Sequence, residues 1–136
     1  MAKVSMSTQL GVSADDAWKM IGGFNALPDW HPAVEASELT EEGQTRTLSL
    51  AGGGQIVETL EKIDNSARTY TYSIRNSPLP IANYVSTITV REDDNGCVVD
   101  WSGEFDPMGG GDSEATDIVT GIYQAGLDNL KKMFGG

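Results

Sequence analysis

The chain has 136 residues, and its 9 lysines and arginines against 20 aspartates and glutamates give a formal net charge of −11. This balance argues against nucleic acids and anionic membrane surfaces as partners, because both bind clustered basic side chains. The single cysteine, Cys97, excludes an internal disulfide and a cysteine-based zinc cluster. The length predicts one domain, residues 1–136, with room for a sizeable core.

The start of the chain carries no targeting pattern. Residues Met1–Met6 lack the long apolar core of a signal peptide. Elsewhere no segment approaches the ~20 apolar residues that a membrane-spanning helix needs. We therefore expect a soluble, cytoplasmic protein without membrane insertion.

The first third of the chain predicts one strand followed by two short helices. Apolar residues alternate with a period of two over residues 4–12, as in a half-buried strand. Ser13 then caps a short helix that ends at Gly22–Gly23. One further helical turn is predicted over residues 25–30, before Pro32 imposes an extended path.

The rest of the chain predicts six strands and a long helix. Short turns between the strands make neighbouring strands antiparallel. Their predicted bounds are 33–40, 44–50, 55–63, 69–75, 83–92 and 97–105. Apolar residues at three- and four-residue spacing then predict an amphipathic helix from about Ser113 to Phe134. The fold class is therefore α+β, because only this helix is long enough to cover one face of a seven-stranded sheet.

One connection between strands is unusual for its apolar character. Residues Ser77–Tyr84 include two prolines and the apolar residues Leu79 and Ile81. A short polar turn would be enough to connect the two strands. Apolar loop side chains are unfavourable in water, so we expect Leu79 and Ile81 to cover the mouth of a cavity. The alternative is that this loop fills an ordinary core.

Five segments, taken in chain order, resemble a known family: Asn25–Val34, Gly43–Leu48, Glu58–Asp64, Pro78–Tyr84 and Gly126–Lys131. Together they are similar to the MxaD-like branch of the SRPBCC superfamily, the polyketide cyclase/dehydrase and lipid-transport family. The resemblance spans nearly the whole chain. It implies the helix-grip fold of START domains and the birch-pollen allergen. In that fold a curved seven-stranded antiparallel sheet surrounds a long C-terminal helix, with two short helices after the first strand and a deep hydrophobic cavity.

Arg46 and Glu58 are the charged residues of greatest interest. They lie on neighbouring predicted strands, across from one another when counted back from the glycine-rich turn at residues 52–54. The resemblance implies that both face the cavity. A buried unpaired charge is costly, so the two should pair or bind a polar ligand group. The alternative is an exposed cross-strand salt bridge that contributes little to stability.

The rest of the sequence offers few candidates for metal ligands or catalytic nucleophiles. His31 is the only histidine, and acidic residues do not cluster at ligand spacing, so we expect no metal site. No Gly-x-Ser-x-Gly turn marks a nucleophile. His31 is either a satisfied hydrogen-bonding group or a ligand contact.

We expect a protein that binds a small hydrophobic or amphipathic molecule and needs no cofactor. The residues expected to contact the ligand are Trp30, His31, Arg46, Leu48, Ile56, Glu58, Leu60, Tyr72, Leu79, Tyr84, Ser86, Trp101, Phe105, Ile122 and Leu127. Catalytic residues are not assigned. One alternative is a cyclase or dehydratase in which polar members of this set position and protonate a polyketide-like substrate. Another is an accessory protein for a partner enzyme, because MxaD-like members are associated with methanol oxidation.

Overall fold

A computed structural model describes residues 2–40, 44–51, 53–77, 81–94, 96–107 and 112–134. In this part of the chain the strands are β1 (Ala2–Leu10), β2 (Val34–Thr40), β3 (Thr45–Leu50), β4 (Gln55–Asp64), β5 (Thr69–Asn76), β6 (Ile81–Asp93) and β7 (Gly96–Pro107). The helices are α1 (Ala14–Ile21), α2 (Leu27–Trp30) and α3 (Asp112–Phe134). The predicted order of elements is confirmed.

The strands form one seven-stranded antiparallel sheet in the order β1-β7-β6-β5-β4-β3-β2. Strands β2 to β7 are a meander, in which each strand pairs with the next along the chain. β1 joins the far edge by pairing with β7, so α1 and α2 connect one edge of the sheet to the other. No described helix has the length and apolar character required to cross a membrane.

Helix α1 begins where the sequence predicts it. The Ser13 side chain accepts a hydrogen bond from the backbone N–H of Asp16 at 3.1 Å, which satisfies a donor that the helix itself leaves unpaired. The helix ends at Gly22, whose N–H donates to the Trp18 carbonyl. A side chain at Gly22 would overlap the Trp18 ring, so glycine is required for close packing there.

The core lies between the concave face of the sheet and α3. The buried residues of α3 are Ala115, Val119, Tyr123, Leu127 and Leu130, while Asp117, Asp128 and Lys131 are exposed. The helix is therefore amphipathic, as predicted, although Met133 near its end is exposed. Gly126 allows α3 to approach the sheet, because a Cβ there would lie 2.8 Å from His31 and 3.0 Å from Trp30 and Trp101.

Strand β6 begins earlier than predicted and shortens the expected loop. Residues 81–83 belong to the strand, where a bulge between Ala82 and Val85 absorbs the extra residue without ending the pairing with β7. Asn83 adopts a left-handed φ of 56°, which asparagine tolerates better than most residues, and its side chain donates to Asp106 at 2.8 Å. Leu79 and the two prolines beside it lie outside the described residues.

Candidate functional site

An apolar cavity of about 230 Å³ lies between the sheet and α3. Of the residues predicted to contact a ligand, those that line it are His31, Leu48, Ile56, Glu58, Tyr72, Tyr84, Trp101 and Ile122. Strands β2 to β7, the start of α2 and the middle of α3 all contribute to its wall. The Ile81 side chain also lines the cavity, although from β6 and not from a loop.

The other predicted residues lie behind this lining or beside it. Those outside the cavity wall are Trp30, Arg46, Leu60, Ser86, Phe105 and Leu127. Arg46 is held behind Glu58, and Trp30 packs edge-on against Trp101 with ring centroids 5.4 Å apart. Leu60 is half-buried, and a bulge in β4 follows it. Leu79 lies outside the described residues.

Several lining residues were not predicted, although a signal for some of them exists. Leu50 and Ile74 follow Leu48 and Tyr72 by two residues and so share their face of the sheet. Ile118 lies one helical turn before Ile122 on α3. Extending the apolar pattern of each strand and of the helix by one repeat would have predicted Leu50, Ile74 and Ile118. No comparable signal marks Ala33 and its neighbours after α2, because that segment has no regular period.

Arg46 and Glu58 form an enclosed ion pair. They are direct cross-strand partners on β3 and β4, and only 1% and 5% of their surfaces are exposed. Arg46 Nε donates to Glu58 Oε1 at 2.7 Å, and Nη2 lies 2.7 Å from the same oxygen. Nη1 donates to the Phe24 carbonyl at 2.5 Å, with the guanidinium carbon 4.2 Å from the Phe24 ring centroid. The exposed-salt-bridge alternative is therefore wrong.

Burial opposes charge on both members of this pair. Burial raises the pKa of Glu58, and Arg46 works against that rise because it stabilises the carboxylate. Burial acts to lower the pKa of Arg46, but attraction to Glu58, supported by Tyr70 and Tyr72, outweighs it, so that pKa is raised. Contacts of 2.7 Å are typical of ionised, charge-assisted hydrogen bonds. The pair is therefore a compensated charge inside an apolar wall.

A second polar cluster, here called the hydroxyl network, consists of Tyr72, Tyr84, Ser86, Trp101 and Tyr123. The Tyr84 and Tyr123 hydroxyl oxygens are 2.5 Å apart, and Tyr123 lies 2.7 Å from Ser86 Oγ. Trp101 Nε1 donates to the Tyr72 hydroxyl and to Ser86 Oγ, each at 3.1 Å. The Tyr123 ring stacks on Trp101 with centroids 4.3 Å apart. Four elements, β5, β6, β7 and α3, therefore meet through hydroxyl groups.

The tyrosines of this network remain neutral. Burial raises the pKa of Tyr123 to about 12. Burial also raises the pKa of Tyr84 well above its ordinary value, and it does the same for Tyr72, where the nearby Glu58 charge adds to the effect. Tyr72 and Tyr84 therefore present neutral hydroxyl groups to the cavity.

His31 is held by the backbone on both sides of its ring. Nε2 donates to the Ile122 carbonyl of α3 at 2.7 Å, and Nδ1 accepts from the Ala33 N–H at 3.2 Å. Burial lowers the pKa of His31, partly offset by the bond to Ile122, so the neutral ring is favoured. His31 is thus a satisfied hydrogen-bonding group that also lines the cavity. Among the described residues, no group of three or more histidine, cysteine or acidic side chains is arranged to hold a metal ion.

Comparison with known proteins agrees with this architecture. The profile of the family described as polyketide cyclase / dehydrase and lipid transport matches residues 1–135. The chain belongs to this family. A search of the curated proteins gives no significant match.

Solved structures extend the comparison. The protein XoxI from Bacillus cereus is 43% identical, with a TM-score of 0.97 over 98% of this chain and 96% of that chain. An uncharacterised protein from Bacillus thuringiensis is 44% identical, with a TM-score of 0.96 over 98% of both chains. The Zhui aromatase/cyclase from a Streptomyces species is 16% identical, with a TM-score of 0.79 over 97% of this chain and 92% of that chain, and so shares the fold alone. The helix-grip fold is confirmed.

Proposed function

We propose that the protein encloses a small apolar or amphipathic molecule in the cavity between the sheet and α3. The observation that carries this proposal is the cavity itself, about 230 Å³ and walled mainly by aliphatic and aromatic side chains. Cavities of roughly 150 Å³ hold benzene, and pockets for drug-sized ligands begin near 300 Å³. The volume therefore fits a compact molecule of one or two rings.

The titratable side chains around the cavity favour binding over turnover. Both ring nitrogens of His31 are engaged by the backbone, and Glu58 is held by Arg46. The tyrosine hydroxyls have raised pKa values, whereas a general acid or base works best with a pKa near the operating pH. We therefore prefer binding to the cyclase or dehydratase alternative. Turnover of a polyketide-like substrate that depends on Glu58 or His31 would reverse this preference.

Two neighbouring residues on β4 provide a matched test. Ile56 lines the cavity, whereas strand alternation directs Val57 to the opposite face of the sheet. Ile56→Trp should fill the cavity, and Val57→Trp should add the same side chain outside it. Binding of benzene and naphthalene is measured by backbone amide chemical shifts of the wild type and both variants.

We expect shifts clustered at the cavity lining in the wild type and in Val57→Trp, and their loss in Ile56→Trp. Thermal unfolding of each variant, measured without ligand, shows that a lost response is not lost folding. If neither hydrocarbon shifts these amides in the wild type, or if Ile56→Trp binds as well as the wild type, the proposal is wrong.

A further inference from the structure

Glu58 uses only one of its two carboxylate oxygens within the protein. Both Arg46 nitrogens that reach it, Nε and Nη2, contact Oε1. Oε2 receives no hydrogen bond from the described residues, and the Glu58 side chain lines the cavity. A carboxylate oxygen beside an apolar cavity gains from a hydrogen-bond donor, so Oε2 favours a ligand that brings one.

Each hydrogen bond of the hydroxyl network has a defined donor and acceptor. Ser86 Oγ donates to the backbone carbonyl of Ser102 at 2.9 Å, because a carbonyl can only accept. Ser86 therefore accepts from Tyr123, and Tyr123 in turn accepts from Tyr84. Each hydroxyl has a single proton, so those of Ser86, Tyr123 and Tyr84 are all committed within the protein.

Tyr72 is the last hydroxyl in this series of hydrogen bonds. Its oxygen accepts from Trp101 Nε1, which leaves its own proton to find an acceptor. The partner within the protein is the Tyr84 hydroxyl at 3.5 Å, well beyond the usual 2.7–2.8 Å for such a bond. Tyr72 lines the cavity from β5. Its direct partner on β4 is Leu60, so Glu58, two residues earlier on β4, is its diagonal neighbour. The cavity wall thus offers one acceptor and one donor on neighbouring strands.

The charge around the cavity is already balanced. All three nitrogens of the Arg46 guanidinium are engaged, two with Glu58 and one with the Phe24 carbonyl, and Arg46 itself lies behind the cavity wall. A ligand carboxylate would meet the Glu58 carboxylate, and the described lining residues include no lysine or arginine to face it. An ammonium ligand would satisfy Glu58 but would offer no acceptor to Tyr72. A hydroxyl group supplies both, since it donates through its proton and accepts through its oxygen.

We propose that the cavity selects a compact neutral alcohol or phenol whose hydroxyl donates to Glu58 Oε2 and accepts from the Tyr72 hydroxyl. This inference rests on the proposed function, because it specifies the chemistry of the molecule that the cavity encloses. The hydrocarbon part of the ligand packs against the apolar wall, and its hydroxyl completes two hydrogen bonds that the protein leaves open.

Four probes with the same ring system test this selection. They are 2-naphthol, 2-methoxynaphthalene, naphthalene and 2-naphthoate, and their affinities for the wild type are measured by titration calorimetry at neutral pH. Phenol, anisole, benzene and benzoate form a parallel one-ring series, which covers the case in which two rings are too large. We expect the hydroxyl compound to bind at least tenfold more tightly than its ether and its hydrocarbon, and the carboxylate most weakly.

The outcomes separate this inference from the proposed function. If hydroxyl compound and hydrocarbon bind equally well, the cavity encloses apolar molecules but the selection for a hydroxyl is wrong. Tightest binding of the carboxylate would likewise overturn the neutral class. If no neutral probe of either series binds, the proposed function fails together with the inference.

Variants locate the effect on the two proposed partners. Tyr72→Phe should reduce the preference for 2-naphthol over naphthalene by about tenfold, because one hydrogen bond is lost. Thr71→Val removes a hydroxyl from the preceding position of β5, which strand alternation directs to the opposite face of the sheet, where Thr71 pairs with Thr87, and the preference should persist. Glu58→Gln should also reduce the preference, and where it folds poorly the Tyr72 comparison decides alone. An unchanged preference in Tyr72→Phe would contradict the proposed geometry.

Discussion

The two polar clusters beside the cavity solve the same problem in different ways. The Arg46–Glu58 pair places opposite full charges together between β3 and β4, whereas the hydroxyl network distributes neutral dipoles over four elements. A charge without its partner has a large desolvation cost, but a hydroxyl can rotate toward another acceptor. The pair should therefore tolerate the loss of one member poorly, whereas the network should adapt.

The largest expected effect is the loss of one charge from the pair. Glu58→Gln leaves the Arg46 cation buried without a counter-charge, and this should lower the free energy of unfolding by ~3–5 kcal/mol. Adding Arg46→Met removes the stranded charge and should recover part of that loss. Chemical denaturation of both single variants and the double variant measures the coupling. Additive effects would show that the two charges act independently.

A smaller effect is expected where the network requires glycine. A Cβ at Gly103 on β7 would overlap the Tyr123 hydroxyl oxygen, so Gly103→Ala should displace that hydroxyl. Overpacking of this kind costs ~1–3 kcal/mol. Tyr123→Phe removes the overlapping atom, and the double variant should therefore be more stable than Gly103→Ala alone. Equal stability of these two would mean that the clash lies elsewhere.

Removing one hydroxyl should cost less still. Tyr123→Phe leaves Ser86 with its Trp101 donor and its backbone acceptor, and Tyr84 keeps its contact with Tyr72. We expect a loss of ~1 kcal/mol, typical of a single neutral hydrogen bond. The same denaturation experiment measures it. A loss as large as that of Glu58→Gln would break the distinction between the charged pair and the adaptable network.

The smallest expected effect concerns pH. The pKa of His31 is lowered from its ordinary value of 6.5, so the unfolded chain takes up the proton first as the pH falls. The contribution of neutral His31 to stability is complete above pH 6.5 and is lost as the pH falls through its folded pKa. Unfolding free energies between pH 7.5 and 5.5 should therefore decline in the wild type. His31→Gln should remove this decline, and the same slope in the variant would assign it to other groups.

Local patterns predicted much of the architecture and one feature of the site. Period-two alternation and turn residues identified the strands, helical spacing identified α3, and capping residues identified α1, because each of these signals depends only on neighbouring residues. Counting from the glycine-rich turn paired Arg46 with Glu58, since register in a short hairpin follows from its turn. The start of β6 was misplaced because a bulge at Ala82 hides the strand pattern.

The sequence by itself determined which faces are apolar, the order of the elements, and that Arg46 and Glu58 oppose each other. Only the tertiary structure decided that Arg46 stands behind the cavity wall, that His31 is bound by α3, and that Tyr72 and Glu58 line the same cavity. The reason is physical. The direction of a buried hydrogen bond depends on groups brought together from distant parts of the chain, and local periodicity carries no information about them.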